Sequence, residues 1–551
     1  MWRSIALAAA WPLFPRLGWG GQGRGEYNVR DHGARGDGRT LDTRAIQSAI
    51  DAAARSGGTV FFPPGDYRSG SLHLRSRIIV QLGAGAVLIA SKDEEDFDPV
   101  ERLAYDPHSD TETADFRFAL LQGHHVADVS IRGPGRIDGN RAGRGGPKPI
   151  ALKRCRGVLI RDLTIENAPN YNISLLGCDG VNIRGVTIRN GYSDGIDPDC
   201  CRNVRIAECR VDSRDDAIVL KSSFALGGRG TTENVRVTDC HLTTVHNALK
   251  LGTESTGDFR NIVFSRCTIV GRSHVWKGDL SSGVSLEMVD GGALERVVVS
   301  DIRMNGVRAP LFVRLGNRGR GPGNPVAGTL TNVRISNVVA VGAMTASSIT
   351  GIPGHAVSGI HLEDIRVTAW GGAGAEVASQ RVPELAERYP DAYMFRDLPA
   401  YGLYCRHVRD LTCERVELDA DRPDARPAVV LDDVGRVRLG GLRAMPPAEG
   451  QPLVWLRSVR DCQVSGLRTR PGTHAALRLS GSDTDRVSLV GNDFSQVQQV
   501  AMVDVTVAES ALRMEGNVMP ARPAPRSLRG PAPTGSTRAG DGEASAAGSG
   551  G

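Results

Sequence analysis

Five short segments decide the fold: VLIRDLTI (158–165), VNIRGVTI (181–188), VRIAECRV (204–211), VRVTDCHL (235–242) and IVFSRCTI (262–269). In each segment, β-branched and other apolar residues alternate with polar ones at a period of two, and Gly, Asn or Asp closes the unit. This pattern is typical of a strand that ends in a turn. Successive segments begin 23, 23, 31 and 27 residues apart, so the chain repeats itself.

The same pattern continues in units that begin at residues 297, 333, 360, 411, 437, 462 and 487. A unit of this length without a helix cannot bury its apolar face alone, so it must stack on its neighbours. We therefore predict an all-β solenoid, most simply a parallel β-helix. Leucine-rich repeats would need a fixed leucine and asparagine frame, and a propeller would need longer, four-stranded units.

Domain organisation follows from the same repeats. The 551 residues exceed the roughly 250 to 300 that one compact core holds, which leaves several domains or stacked repeats. The segment DTRAIQSAIDAAARSGG (42–58) predicts one amphipathic capping helix, with Asp42 as N-cap and Ile46 and Ile50 on its apolar face. We expect a single β-helix over 25–520 and a disordered Pro/Gly/Ser-rich tail over 521–551.

The first 24 residues contain one early arginine and an apolar run, the outline of an export signal. Pro12 interrupts the run and Arg16 follows it, so an apolar N-terminus without a targeting role is the alternative. With a signal, the protein would be secreted or periplasmic. The sequence contains no run of about 18 apolar residues, the length that a membrane-spanning helix needs.

The charge balance of 67 Lys+Arg against 62 Asp+Glu lacks the concentrated basic character of a nucleic-acid binder. Ten cysteines are spread along the chain without a CxxC pair, which argues against a metal site and a cofactor. Cys155, Cys178 and Cys201 recur at intervals of 23 residues, which favours an internal stack of small side chains over disulfides. We expect a monomer.

Carboxylates concentrate in two adjacent coils, YSDGIDPD (192–199) and SRDDAIVLK (213–221). Asp194 and Asp215 are 21 residues apart, close to one coil, and equivalent residues of stacked coils lie about 4.8 Å apart. Asp194, Asp215 and Asp216 would then share one patch, where like charges raise at least one pKa and supply an acid and a base. Solvated turn aspartates are the alternative.

Three other polar residues fall near this patch. His246 lies one unit further along, 31 residues after Asp215. Lys221 and Lys250 each end a strand of mostly apolar and small residues, where they either contact anionic sugar groups or extend into solvent.

These motifs resemble glycoside hydrolase family 28, the polygalacturonase and rhamnogalacturonase group, over most of residues 27 to about 418. The opening segment YNVRDHGARGDGRTLDTRAIQSAIDAA (27–53) is shared across pectinase-like proteins, whereas IRGPGRIDGNR (131–141) and NAPNYNISLL (167–176) are closer to the family itself. The resemblance implies a right-handed parallel β-helix and hydrolysis with inversion.

Most of the family's active-site residues have an equivalent position in this chain. By this resemblance Asp215 would be the general acid, and Asp194 and Asp216 would hold and deprotonate the attacking water. His246 falls at the family's histidine, although Val245 and Asn247 replace the usual glycines. Tyr192 stands where asparagine is usual.

The family's Arg-Ile-Lys motif is missing. Ser285 and Glu287 stand where two cations would bind the carboxylate of galacturonate. An acidic side chain at that substrate-binding position would repel a uronate, so we expect polygalacturonate to be a poor substrate. Arg314, Arg318 and Arg320 either supply compensating cations or solvate a loop.

The sequence thus predicts a metal-independent glycosidase that acts on a pectin-like or other plant polysaccharide. A polysaccharide lyase of the same fold and a non-catalytic carbohydrate-binding solenoid are the two rivals. The aspartates are placed for hydrolysis, and their complete set argues against a decayed site.

Overall fold

The structure is a computed structural model that describes residues 25–271, 281–323 and 326–520. The expected signal over 1–24 and the expected tail over 521–551 lie outside these residues. Within them, no helix is long and apolar enough to cross a membrane.

The described strands form one right-handed parallel β-helix, as predicted. Each coil runs through three strands, one in each of three long sheets, and every strand pairs in parallel with its equivalent in the next coil. A polypeptide that stacks coil on coil in this way satisfies its backbone hydrogen bonds between coils rather than within them.

Sheet 1 carries the site described below. Its strands are Leu72–His73, Ala119–His124, Lys148–Lys153, Ile173–Leu176, Ile196–Asp199, Ile218–Ser222, Asn247–Ser255, Ser282–Met288, Ala309–Leu315, Ser347–Thr350, Pro452–Arg457, Thr473–Ser480 and Val497–Val503.

Sheet 2 follows sheet 1 in each coil. Its strands are Glu26–Asn28, Thr59–Phe62, Ile79–Leu82, Ala127–Arg132, Arg156–Arg161, Asp179–Arg184, Arg202–Ala207, Thr231–Thr238, Asp258–Ser265, Arg460–Ser465, Asp485–Val490 and Leu512–Glu515.

Sheet 3 completes the coil. Its strands are Asp37–Leu41, Gly65–Ser69, Ala86–Ala90, Arg136–Asp138, Thr164–Glu166, Thr187–Gly191, Arg210–Ser213, His241–Thr244, Thr268–Gly271 and Arg443–Ala444. Later strands run through two or three sheets without a break: Ala293–Asn305, Thr329–Ala343, Val357–Ala369, Leu403–Ala420 and Val429–Gly440.

The repeated eight-residue unit is two strands in the early coils, not one. VLIRDLTI divides between Arg156–Arg161 and Thr164–Glu166 because Asp162 adopts φ 57° between them. Asp tolerates this left-handed conformation, and Gly185 takes it in the next coil with φ 63°. The bend turns the chain from sheet 2 into sheet 3.

The interior is a continuous apolar column. Val158 and Ile160 pair with Val181 and Ile183 of the next coil, and all four side chains are buried. The ten cysteines are also buried and free, and the amide of Cys178 donates to Cys201 Sγ over 3.3 Å. The expected internal cysteine stack is therefore confirmed.

The capping helix spans Thr43–Ser56, and Gly57 ends it with φ 73°. Ile46 and Ile50 are fully buried against the first coils. Asp42 precedes the helix, but its carboxylate caps no helix amide and accepts from Arg35 N and Gly36 N instead. The remaining helices are short: Val29–His32, Glu94–Asp96, Thr111–Ala114, Ala375–Ala378 and Glu509–Ala511.

Two long excursions cover the outer face of sheet 1. The first covering segment, 91–118, packs Ala114 and Phe116 on Ala151 and Leu176. The second covering segment, 370–402, packs apolar side chains on the later strands of the sheet, including Val382, Phe395 and Leu398 on Phe312, Tyr404 and Trp455. The strands between these two clusters, 196–288, carry the unusually polar residues.

Candidate active site

Three successive turns that lead from sheet 3 into sheet 1 carry the predicted acidic residues. Asp194 precedes the strand Ile196–Asp199, Asp215 and Asp216 precede Ile218–Ser222, and His246 precedes Asn247–Ser255. The amide of Asp216 donates to Asp194 Oδ1 over 3.2 Å, and His246 Nδ1 lies 4.0 Å from Asp215 Oδ1. The structure thus brings together the four residues that the coil spacing singled out.

The three carboxylates differ in exposure. The side chain of Asp215 is 20% exposed, whereas Asp194 and Asp216 are buried beneath it at 5% and 6%. Asn247 holds Asp216 from below, since its backbone and side-chain nitrogens both donate to Asp216 Oδ1. Asp215 is therefore the aspartate of this group that a bound molecule reaches first.

Ligand-type atoms of Asp215, Asp216 and His246 lie within 4.8 Å of one another. Such groups are common without an ion, and neighbouring cations already balance these carboxylates. We assign no metal role to them.

Lys221 lies in the floor of the site and not on its open surface, contrary to the expected sugar contact. Its ammonium group donates to Asp194 Oδ2 over 3.1 Å, to Asp197 Oδ2 over 2.8 Å and to the Tyr171 hydroxyl over 2.9 Å. The side chain is only 5% exposed. Lys221 therefore acts as a buried counterion for the carboxylates.

Glu287 also differs from its expected substrate-binding position. It is fully buried and accepts from the Ser285 hydroxyl, and Lys250 Nζ lies 3.6 Å from its Oε2. Burial raises the pKa of Glu287 to about 7, and Lys250 opposes this effect. Because the carboxyl group does not face a substrate, the repulsion of uronates expected from the sequence loses its structural basis.

Arg314 is not a compensating cation. It pairs with Glu287 in the strand register, but its guanidinium group turns under the second covering segment and donates to the carbonyls of Glu384 and Leu385. Its exposure is 1%. Arg318 is likewise buried on Asp290, whereas Arg320 is half-buried with Nη1 4.0 Å from Glu254 Oε1.

The aspartates hold their protons with unequal strength. Burial raises the pKa of Asp194 well above its ordinary value, and this rise persists although Lys221 opposes it. Burial also acts on Asp215, but the charges of His246 and Arg144 outweigh it and hold the pKa of Asp215 below its ordinary value. A proton therefore resides on Asp194 more readily than on Asp215, the reverse of the order that the family resemblance implies.

Arg144 and Glu112 are the residues that sequence reasoning missed. Arg144 donates through Nη1 to Asp215 Oδ2, and through Nε and Nη2 to both carboxylate oxygens of Glu112. Arg144 belongs to the excursion between Arg136–Asp138 and Lys148–Lys153, and Glu112 to the first covering segment. Neither lies in a repeated unit, so the coil spacing carried no signal for them.

A parallel β-helix whose outer turns gather three aspartates and a histidine between two covering segments presents carboxylates of the kind that glycoside hydrolysis needs, and this defines the class as a carbohydrate-active enzyme. The comparison with known proteins gives the same class. The profile of Glycosyl hydrolases family 28 matches residues 105–384, and the chain belongs to this family. The profile Rhamnogalacturonase A/epimerase, pectate lyase-like, matches residues 27–108.

Individual relatives are distant. The chain is 26% identical over 368 residues to a "Probable polygalacturonase" of Vitis vinifera, an alignment that covers 61% of this chain and 73% of that protein. An exopolygalacturonase of Thermotoga maritima shares the fold with a TM-score of 0.56 at 22% identity, covering 72% of this chain and 93% of that one. A family 28 exopolygalacturonase of Yersinia enterocolitica gives 0.57 at 18% identity, covering 80% and 78%.

Proposed function

We propose that this glycoside hydrolase cleaves O-glycosidic bonds in a pectin-like or related plant polysaccharide by single displacement with inversion. The observation that carries the proposal is the stacked arrangement of one accessible aspartate, Asp215, over two buried ones, Asp194 and Asp216. Glycoside hydrolysis by inversion uses a carboxyl group that reaches the glycosidic oxygen and a second one that activates water.

The roles follow from accessibility. Asp215 in its protonated form donates a proton to the glycosidic oxygen while the bond from this oxygen to the anomeric carbon breaks. A water molecule attacks the anomeric carbon from the opposite face, and its proton passes to an ionised carboxylate, either Asp216 or the deprotonated form of Asp194. His246 lies beside Asp215 and lowers the pKa of this carboxyl group. The net change is the addition of one water across the bond, and no cofactor is needed.

The buried cations make this arrangement possible. Lys221 and Lys250 neutralise the floor of the site, where Lys250 Nζ lies 2.9 Å from Asp216 Oδ2. Without them, the carboxylates in the floor would lack counterions, and unpaired charges in a protein interior are strongly disfavoured.

The experiment is incubation of the purified protein with polygalacturonate, rhamnogalacturonan and neutral plant glycans. Products are separated by chromatography, and proton NMR follows the anomer formed first. The proposal expects new reducing ends of inverted configuration. Products that absorb in the ultraviolet would identify a lyase, and binding of a glycan without cleavage would identify a carbohydrate-binding solenoid.

We also propose that residues 25–520 act as one monomeric catalytic unit outside the cytoplasm. The continuous ladder of strands supports one unit, and the family's polymeric substrates support an extracellular location. Cell fractionation and size-exclusion chromatography with light scattering test these two points.

A further inference from the structure

We propose that Arg144 binds the carboxylate of an acidic sugar at the cleavage site, and that it exchanges Asp215 for this carboxylate when the substrate binds. The inference rests on the proposed glycosidase function. It names the residue that would recognise an anionic substrate in a chain whose Arg-Ile-Lys motif is absent.

Arg144 is a cation beside the aspartates that a ligand can reach. Lys221 and Lys250 are buried and neutralise carboxylates in the floor of the site. Arg314 and Arg318 are buried as well, since Arg314 donates to a carbonyl of the second covering segment and Arg318 pairs with Asp290. Arg144 is different, since its side chain is 49% exposed while it contacts a proposed catalytic carboxylate directly. It therefore presents a charge that a ligand in the cleft can reach.

Arg144 already binds carboxylates in this structure. Arg144 bridges Asp215 Oδ2 and the two carboxylate oxygens of Glu112. A guanidinium group carries five N–H donors in a planar fork that matches carboxylates, so this position already accommodates the group that a uronate would bring. Replacing Asp215 by a sugar carboxylate leaves the charge around Arg144 unchanged, and Glu112 keeps the side chain anchored during the exchange.

The backbone on either side of Arg144 has space around it. Arg144 lies between Gly143 and Gly145, and a side chain added at either glycine would meet no atom within 4 Å. Gly145 also has φ 101°, a conformation that other residues rarely adopt. The two neighbours of Arg144 therefore have open space beside their α-carbons, while the amide of Gly145 donates to the carbonyl of Pro169 over 2.9 Å and holds the loop on the coils.

The exchange has a chemical consequence. While Arg144 contacts Asp215, it favours the ionised form of this carboxylate, which cannot donate a proton. Loss of the contact raises the pKa of Asp215 and lets it take a proton from solvent before it protonates the glycosidic oxygen. The charged and titratable groups that act on Asp215 in this state are His246, Arg144, Lys250, Asp194 and Asp216. A neutral sugar would leave Arg144 on Asp215 and the acid ionised.

The test compares Arg144→Gln with Arg141→Gln, a matched control in the same excursion whose guanidinium group donates to the carbonyls of Ser91 and Lys92. The substrates are polygalacturonate and its fully methyl-esterified form, which has the same backbone without the charges. We expect Arg144→Gln to lower kcat/KM on polygalacturonate at least about tenfold, the loss of one charge-assisted hydrogen bond. We expect no loss on the ester, and no loss on either polymer for Arg141→Gln.

A second readout separates recognition from a merely structural role. In the pH profile of kcat/KM, which reports the free enzyme, Arg144→Gln should shift the upper apparent pKa to a higher pH. Equal losses on both polymers, or an unshifted profile, would overturn the inference and leave the glycosidase proposal standing.

Absence of cleavage by the wild-type protein on every glycan would instead contradict the proposed function. In that case, calorimetry of galacturonate-oligomer binding still tests whether Arg144 binds the sugar carboxylate. Binding that Arg144→Gln does not weaken would overturn its assignment as the carboxylate site.

Discussion

The ammonium nitrogen of Lys250 lies 2.9 Å from Asp216 Oδ2, deep in a site where both side chains are almost fully buried. Glu287 Oε2 lies 3.6 Å from the same nitrogen, on the next strand of sheet 1. One lysine therefore balances an aspartate proposed to be catalytic and a glutamate that stands in place of a cation. The arrangement replaces repulsion between two carboxylates by shared attraction to one charge.

At a pH above 7, where Glu287 is ionised, Lys250→Met should destabilise the protein by about 3 to 5 kcal/mol, because two buried carboxylates lose their common partner. Urea denaturation measures the change. The exposed Lys92→Met serves as control and should change the free energy of unfolding by less than about 0.5 kcal/mol. The double variant Lys250→Met/Glu287→Gln should recover part of the loss, and a double variant no more stable than the single one would contradict the pairing.

Asp215→Asn should reduce turnover by a factor on the order of 10² to 10⁴, because the amide keeps the shape of the side chain but has no proton to give. Initial rates on the best glycan give this factor, and oligomer binding should remain. Asp179→Asn, at an exposed position of sheet 2, is the matched control and should retain full activity. An Asp215→Asn enzyme with most of its activity would remove Asp215 from the role of general acid.

Glu287 should make stability depend on pH. Its folded-state pKa of about 7 exceeds the ordinary value of 4.5, so the folded protein binds the proton more tightly than the unfolded chain does. This contribution is complete below pH 4.5 and disappears as the pH rises through 7, a loss of roughly 3 kcal/mol. Relative to Glu287→Gln, the wild type should therefore lose stability between pH 5 and pH 8. A constant difference between the two proteins in urea melts at these pH values would show that Glu287 is not buried in its neutral form.

The second covering segment should loosen when its arginine anchors are removed. Arg406 donates to the carbonyls of Val382 and Pro383, as Arg314 does to those of Glu384 and Leu385. Arg406→Met should raise hydrogen exchange across residues 382–398 while the coils stay protected. Arg438→Met, exposed on an adjacent strand, should leave exchange unchanged. Uniformly faster exchange would indicate global destabilisation instead of local release.

The fold was predictable because its information is repeated along the sequence. Each coil contributes the same alternation, so the β-helix and the cysteine stack could be predicted from the coil spacing, whereas the capping helix was predicted from its own amphipathic pattern. The same periodicity located Asp194, Asp215, Asp216 and His246, since these residues occupy equivalent turns. A residue in a repeated unit stacks on the equivalent residue of the next coil, so the repeat predicts its neighbours.

What the sequence did not predict lies outside the repeat or depends on side-chain direction. Arg144 and Glu112 belong to excursions whose paths no period determines. Arg314 stands beside Glu287 in register, yet its long side chain leads the guanidinium group to a covering segment. For Lys221 and Glu287, the strand pattern gave the outward face correctly but could not show that other segments bury that face.

The second covering segment is held through its main chain. Arg314 and Arg406 bind its carbonyl oxygens, and Arg457 adds a bond to the carbonyl of Ala378. Every residue type possesses a carbonyl group, so these anchors tolerate exchange of the segment's own side chains, such as the exposed Tyr389 and Tyr393. Evolution, or a laboratory selection, can therefore exchange the side chains of this segment one by one to suit a new glycan, while the coils and the proposed acid–base residues beneath them stay in place.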